Sequence, residues 1–275
     1  MTLPLSITTD YATDRGNPGP YLQRIAEAGF THIHWGHQWC TDFIYSRPEI
    51  NQIKRWLAEF GLQLNDLHGS SGAEKHWGSP NEWARLAGIE LVINRMEMTA
   101  ELGGDVVIMH PPGPQDGDTD TTYRERLSRT LDAIRPLSRS TGVRIALENG
   151  FSVPDIARIC NDYEPEFLGM CYDSGHGNLQ PGEEALDQLE SLDMAGRLIA
   201  IHLHDNDGQG DQHHPMFTGT INWDRLAGIL ARSSYTKCVS METTMPSPEM
   251  DEAEFLAAAN ADGHRLAAMI AQHRL

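Results

Sequence analysis

The sequence predicts one α/β domain, residues 1–275, folded as a (β/α)8 barrel. Three observations predict it. Eight short runs rich in β-branched and apolar residues alternate with eight longer stretches that carry apolar residues at i, i+3, i+4 spacing. Glycines stand where helices should stop and strands begin. No linker, charge block or low-complexity stretch divides the 275 residues, a length ordinary for such a barrel.

The elements follow in order. A strand is expected at 4–9 (PLSITT) and a helix near 19–28, closed by Gly29. A second strand at 31–35 (THIHW) leads to a helix at 48–60 and Gly61. A third at 62–68 (LQLNDLH) leads to a helix at 81–102, started by GSPNEW and ended by Gly103. Its apolar positions are Trp83, Leu86, Ala87, Ile89, Val92, Ile93 and Met96. Strands at 105–110 (DVVIMH) and 143–148 (VRIALE) flank a helix at 121–139 and Gly142. Then come a helix at 153–161, a strand at 167–173 (FLGMCYD), a helix at 182–191 and a strand at 198–204 (LIAIHLH). A helix at 223–232, a strand at 237–242 (KCVSME) and a helix at 250–273 complete the series. A doubly wound sheet would also alternate strand and helix. It would more usually show a glycine-rich phosphate turn after its first strand, and DYATDRGNPGP lacks that fingerprint.

Composition narrows the class. Hydrophobic residues make up 40% and the mean hydropathy is −0.43, as expected of a soluble globular chain. No apolar run reaches the roughly 18 residues of a membrane span. The start, MTLPLSITTD, lacks the basic and apolar regions of a signal peptide. Cys40, Cys160, Cys171 and Cys238 form no C-x-x-C and read as reduced thiols of a cytoplasmic protein. A net charge of −18, from 39 acids against 21 bases, opposes non-specific binding to nucleic acid or anionic membrane. The expected partner is a small molecule, and a homo-oligomer is compatible with the chain.

Barrels build their sites at the C-terminal ends of the strands. Those ends carry His68, His110, Glu148, Asp173 with His176 three residues on, His202 with Asp211 and His213 beyond it, and Glu242. Any one alone has an ordinary explanation, such as a histidine capping a carbonyl. Nine imidazoles and carboxylates around one mouth point to a divalent-metal site. Histidines and aromatics after the second strand, His34, Trp35, His37 and Trp39, are candidates to contact a substrate or simply to pack. Trp223 is expected to pack, His214 is an alternative to His213, and Asp205 and Asn206 are candidates to orient His202.

The motifs MHPPG, ALENG, CYDSGHGN, IHLHDNDGQGDQHH…GTINW and SMETT resemble those of the xylose-isomerase-like TIM-barrel superfamily over essentially the whole chain. That superfamily holds sugar-phosphate isomerases and epimerases together with the endonuclease IV group. The resemblance to the first implies one divalent ion on Glu148, Asp173, His202 and Glu242, the two glutamates also acting as acid and base. The resemblance to the second implies further ligands for a three-zinc cluster, on His68, His110, His176, Asp211 and His213. Two features depart from these patterns. Epimerases of the group often carry an arginine soon after the strand-seven histidine, and residues 201–222 contain no Lys or Arg. Endonuclease IV proteins carry DNA-inserting loops, and GSSGAEKHWGSPNEW after His68 has one Lys.

Two reactions therefore stand open, with one to three zinc or manganese ions as cofactor. One is isomerisation or epimerisation of a sugar, phosphorylated or not, by proton transfer next to a carbonyl. The other is phosphodiester hydrolysis at a multinuclear zinc site. The four ligand carboxylates bring −4, so one divalent ion leaves about −2, two about 0 and three about +2; a lone ion is a poor home for a phosphate, whereas two or three welcome an enediolate or a phosphate oxygen. A binding barrel with a structural ion is the third class, disfavoured because structural zinc prefers closed, cysteine-rich sites.

Overall fold

The computed structural model describes residues 3–13, 15–36, 44–69, 75–114, 116–150, 152–191, 194–247 and 249–274. Eight parallel strands lie within the expected runs: β1 (Leu5–Thr8), β2 (His32–Trp35), β3 (Gln63–His68), β4 (Val106–Met109), β5 (Arg144–Glu148), β6 (Leu168–Asp173), β7 (Leu198–His202) and β8 (Val239–Met241). Their order is β7-β6-β5-β4-β3-β2-β1-β8. The ring closes just past β7, where Leu203 pairs with Met241. There the Leu203 amide donates to Ser240 O at 3.0 Å and the Glu242 amide donates to Leu203 O at 3.1 Å.

The helices are α1 (Gly19–Glu27), α2 (Arg47–Phe60), α3 (Glu82–Leu102), α4 (Asp120–Thr141), α5 (Val153–Cys160), α6 (Ser174–Asn178), α7 (Glu184–Ser191), α8 (Trp223–Arg232) and α9 (Glu252–His273). Local chemistry sets their ends. Ser46 and Glu49 form a capping box at the start of α2, and Asn81 accepts from the Trp83 amide at the start of α3. The expected glycine stops at Gly61, Gly103 and Gly142 all adopt left-handed backbone, where a Cβ would be strained.

Helices and strands enclose a continuous core that includes Leu22, Ile33, Ile53, Leu67, Val92, Leu131, Leu226 and Leu266. Each fully buried side chain of this kind contributes roughly 1.5–3 kcal/mol. In α3 the expected apolar positions Ile89, Val92 and Met96 are buried, whereas Trp83 and Leu86 are 61% and 50% exposed. Arg85 and Arg95 are buried on the inner face, so polar and apolar residues mix on both faces and periodicity finds the inner face only in part.

A second, smaller cluster of Val106, Ile108, Ala146, Cys171, Ile199 and Ala200 fills one side of the barrel interior. The other side is polar, with Ser6, Thr8, His34, Asp66 and Ser240 fully buried. Cys160, Cys171 and Cys238 are buried free thiols; Cys40 lies outside the described residues.

Candidate metal centre

Strand side chains alternate faces, so inward residues rise along each strand in steps of two. Asp173 on β6 pairs directly with His202 on β7, and Glu148 on β5 pairs with Cys171. Asn149 clamps the two strand tips together. Its Nδ2 donates to Asp173 O at 3.0 Å, and its Oδ1 accepts from the Asp173 amide at 2.6 Å. The segment after Asp173 is the one-turn helix α6. Asp173 caps it by accepting from the His176 amide at 2.6 Å.

These placements bring the nine expected residues together. His202 Nδ1 lies 3.2 Å from Glu148 Oε2 and 3.1 Å from Glu242 Oε2. His110 Nε2 is 3.4 Å from Glu148 Oε2, and His176 Nδ1 is 3.1 Å from Glu148 Oε1. His68 Nε2 is 2.9 Å from Glu242 Oε1. Asp211 stands between His176 Nε2 at 3.4 Å and His213 Nε2 at 3.3 Å. The ligating atoms of Glu148, Asp173, His202 and Glu242 lie within 4.8 Å of one another, as do those of His68, His110 and Glu148.

The donor set fits ions better than it fits itself. Among the described residues, both Glu148 oxygens, both His202 nitrogens and His176 Nδ1 are buried without a hydrogen bond that satisfies geometry. Buried polar atoms in that number ask for a missing partner. Two ligands bound at about 2.1 Å to one tetrahedral ion lie about 3.4 Å apart, close to the nitrogen–oxygen spacings here. Electrostatics agree. Burial would raise Glu148, but the His110 and His202 imidazoles outweigh it and hold its carboxyl well below the usual range. Burial opposes ionisation of Glu242 too, yet His202 and His68 hold it well below.

His204 was not anticipated. Its Nε2 lies 3.1 Å from both Asp173 oxygens, and its ring stacks on His213 with centroids 4.0 Å apart. The signal was present in His202-x-His204, since alternation turns both toward the same interior. Asp66 was also missed. Its Oδ1 accepts from His34 Nδ1 at 2.8 Å, with both residues fully buried.

Other expected residues fall elsewhere. His34 sits beneath the cluster, its ring 4.5 Å from that of His202. Trp35 faces the helical layer, buried, with Nε1 donating to Tyr45 Oη at 3.2 Å. His37 and Trp39 lie outside the described residues. Asp205 and Asn206 brace loops instead of orienting His202. Asp205 accepts from Trp223 Nε1 at 2.8 Å, and Asn206 Nδ2 donates to Gly175 O at 2.9 Å. Trp223 is buried as expected. The main chain of His214 pairs with Asp205, and it is His213, at φ 49, that faces the carboxylates.

Beside Glu148 a cavity of about 270 Å³ is lined by Pro111, Pro114, Tyr123, Ser152, Ile156 and Ile159. Of its acidic neighbours, Asp118 is held by Arg126 at 2.7 and 2.8 Å, and Asp155 pairs with Arg158. Among the described residues no helix is long and apolar enough to cross a membrane.

Comparison with known proteins accords with this geometry. The profile of xylose isomerase-like TIM barrels matches residues 22–262. The uncharacterized protein y4fM of Sinorhizobium fredii (strain NBRC 101917 / NGR234) is 32% identical over 92% of this chain and 89% of its own length. A probable endonuclease 4 of Clostridium botulinum (strain Alaska E43 / Type E3) is 24% identical over 55% of this chain and 61% of its own. The crystal structure of a D-tagatose 3-epimerase-like protein superposes with a TM-score of 0.79 at 18% identity, covering 99% of each chain, a likeness of fold.

Proposed function

The chain belongs to the xylose isomerase-like TIM-barrel family, and from that premise we propose that it is a divalent-metal-dependent isomerase or epimerase of a small sugar or sugar phosphate. The observation that carries this reading is the approach of Glu148 and Glu242 to one nitrogen, His202 Nδ1, from 3.2 and 3.1 Å. Two carboxylates so close, with Asp173 completing the set, can hold an ion and also flank a substrate carbon. An ion on these four residues would polarise a carbonyl and acidify the adjacent C–H. One glutamate then takes the proton from that carbon and the other returns a proton to the same or the neighbouring carbon. Their histidine neighbours hold both carboxyls well below the usual range, so either can act as the accepting base, and the other must first take up a proton from solvent or a neighbouring imidazole before it can donate. His204 and Asn149 hold Asp173 in place during the exchange. The cavity beside Glu148 has apolar faces in Pro111, Pro114, Ile156 and Ile159, which suit the remainder of a neutral ring. The likeness to a D-tagatose 3-epimerase-like fold is consistent with this.

A second reading, a multinuclear zinc phosphodiesterase, is favoured by His68, His110, His176, Asp211 and His213, which exceed the needs of one ion. The net charge of −18 disfavours DNA as its substrate, though not a small diester. Elemental analysis and two assays separate the readings. Solvent deuterium entering keto-sugars, with or without a second ion beside the one at Glu148 and Glu242, supports proton transfer. Two or three zinc ions with cleavage of bis-p-nitrophenyl phosphate supports hydrolysis. Under the first reading Glu148→Gln or Glu242→Gln should lower deuterium exchange at least 100-fold. Exchange that survives both substitutions would reject their acid–base roles.

A further inference from the structure

A fully buried imidazole–carboxylate pair lies beside these groups and plays no part in the reactions above. His34 Nδ1 donates to Asp66 Oδ1 at 2.8 Å, and Asp66 Oδ2 accepts from Asn65 Nδ2 at 2.8 Å. With its Nδ1 proton committed to Asp66, a neutral His34 presents a lone pair on Nε2. That nitrogen is buried, has no hydrogen-bond partner among the described residues, and lies 3.9 Å from Glu242 Oε1. Two acceptors facing each other away from water repel unless a cation or a proton lies between them. His68 Nε2 reaches the same Glu242 oxygen at 2.9 Å. The rings of His34, His68 and His202 have centroids 4.5–5.0 Å apart. The ligating atoms of His34, His68, His202 and Glu242 all lie within 4.8 Å of one another.

We infer that His34 is a metal ligand, forming with His68 and Glu242 Oε1 a buried cation seat next to His202 and below the Glu148–Asp173–His202–Glu242 position. Asp66 supplies what ligating imidazoles ordinarily have behind them, a carboxylate that fixes the tautomer and the ring. Two imidazoles with one carboxylate suit zinc or a similar transition ion and disfavour magnesium. His68 Nε2 is also the donor shared with His110 and Glu148. One nitrogen serves one ion, so the two seats compete for His68. His34 is fully buried while the His110 side chain is 44% exposed, so filling the lower seat leaves His110 free to face substrate. The inference rests on the proposal that the site holds ions, and not on which reaction they serve.

The test uses the full chain, stripped and reloaded with zinc alone. Anomalous diffraction at the zinc edge should place a peak at bonding distance from His34 Nε2. His34→Gln should remove that peak and lower the zinc count by one. Asp66→Asn should weaken the same zinc about 10- to 100-fold in a chelator competition. In both variants the ion at Glu148 and Asp173 should remain, and His110→Ala should leave the lower zinc in place. A wild-type crystal with the upper ion but no peak at His34, or wild-type zinc content and affinity in His34→Gln, overturns the inference. The gap then holds a proton, and the metal reading of the upper site stands. Zinc bound nowhere overturns both. If His34→Gln fails to fold, the wild-type anomalous map decides alone.

Discussion

Gly175 packs so closely under the His204 ring that an added Cβ would overlap the imidazole. Gly175→Ala should therefore push His204 away from Asp173 and loosen zinc about 10- to 100-fold, the usual effect of losing an orienting partner. The overlap should also cost about 1–3 kcal/mol of stability. Chelator titration and urea unfolding measure the two effects; unchanged zinc affinity would show that His204 does not orient Asp173. Protons provide a second test at this scale. Burial lowers His176, but Asp173, Asp211 and Glu148 overcome it and lift it to about 11. Burial lowers His213 as well, yet Asp211 and Glu242 raise it to about 9. Without metal, both therefore carry an extra proton at pH 7, and an incoming ion must expel it. Zinc affinity should rise with pH up to those values. Burial lowers His202 too, yet Cys171, Glu242 and Glu148 raise it well above the usual range, so calorimetry in buffers of different ionisation enthalpy should show about three protons released at pH 7 when all the ligands are engaged. Binding with no proton release would mean that His176 and His213 do not ligate.

At the scale of elements, Gly88 in α3 sets two effects against each other. Alanine is favoured over glycine in a helix by about 1 kcal/mol. Here its Cβ would meet the backbone of His76 and Trp77, which cannot swing aside as a side chain can. The clash should win, so Gly88→Ala should lower the urea midpoint by an amount equivalent to about 1–3 kcal/mol. A raised midpoint would mean that this backbone gives way. The strands and most helices were legible because burial imposes its period on the sequence locally: LIAIHLH and DVVIMH each read as strands with polar tips. The inner face of α3 was legible only in part: Ile89, Val92 and Met96 are buried as their spacing implies, but Arg85 and Arg95 are buried and Trp83 and Leu86 exposed. α6 was not legible, since its glycines argue against a helix that Asp173 nevertheless caps. Among site residues, the strand-end ligands were legible from position alone. The bracing roles of Asn149, His204 and Asp66 depend on partners up to 32 residues away, which local pattern does not record.

For the whole molecule, the buried carboxylates tie stability to metal. An ion at 100 times its dissociation constant stabilises the native state by about 2.7 kcal/mol. At roughly 2–4 °C per kcal/mol for a chain near this size, chelation with EDTA should lower Tm by about 5–10 °C. Differential scanning fluorimetry measures this, and an unchanged Tm would mean that the stripped site costs nothing. The barrel was legible as a whole because no other arrangement brings six successive strand ends to one mouth. The seam that closes it was not, being a single pairing between Leu203 and Met241. That seam also has a consequence in time. His202 and His204 stand on one side of it and Glu242 on the other, within forty residues of the C-terminus. A chain emerging from the ribosome with seven strands made has no Glu242 to offer. Completion of any seat that needs Glu242 is then tied to closure of the ring, and in refolding a zinc-sensitive dye should show a phase of capture that coincides with closure and is lost in Glu242→Gln.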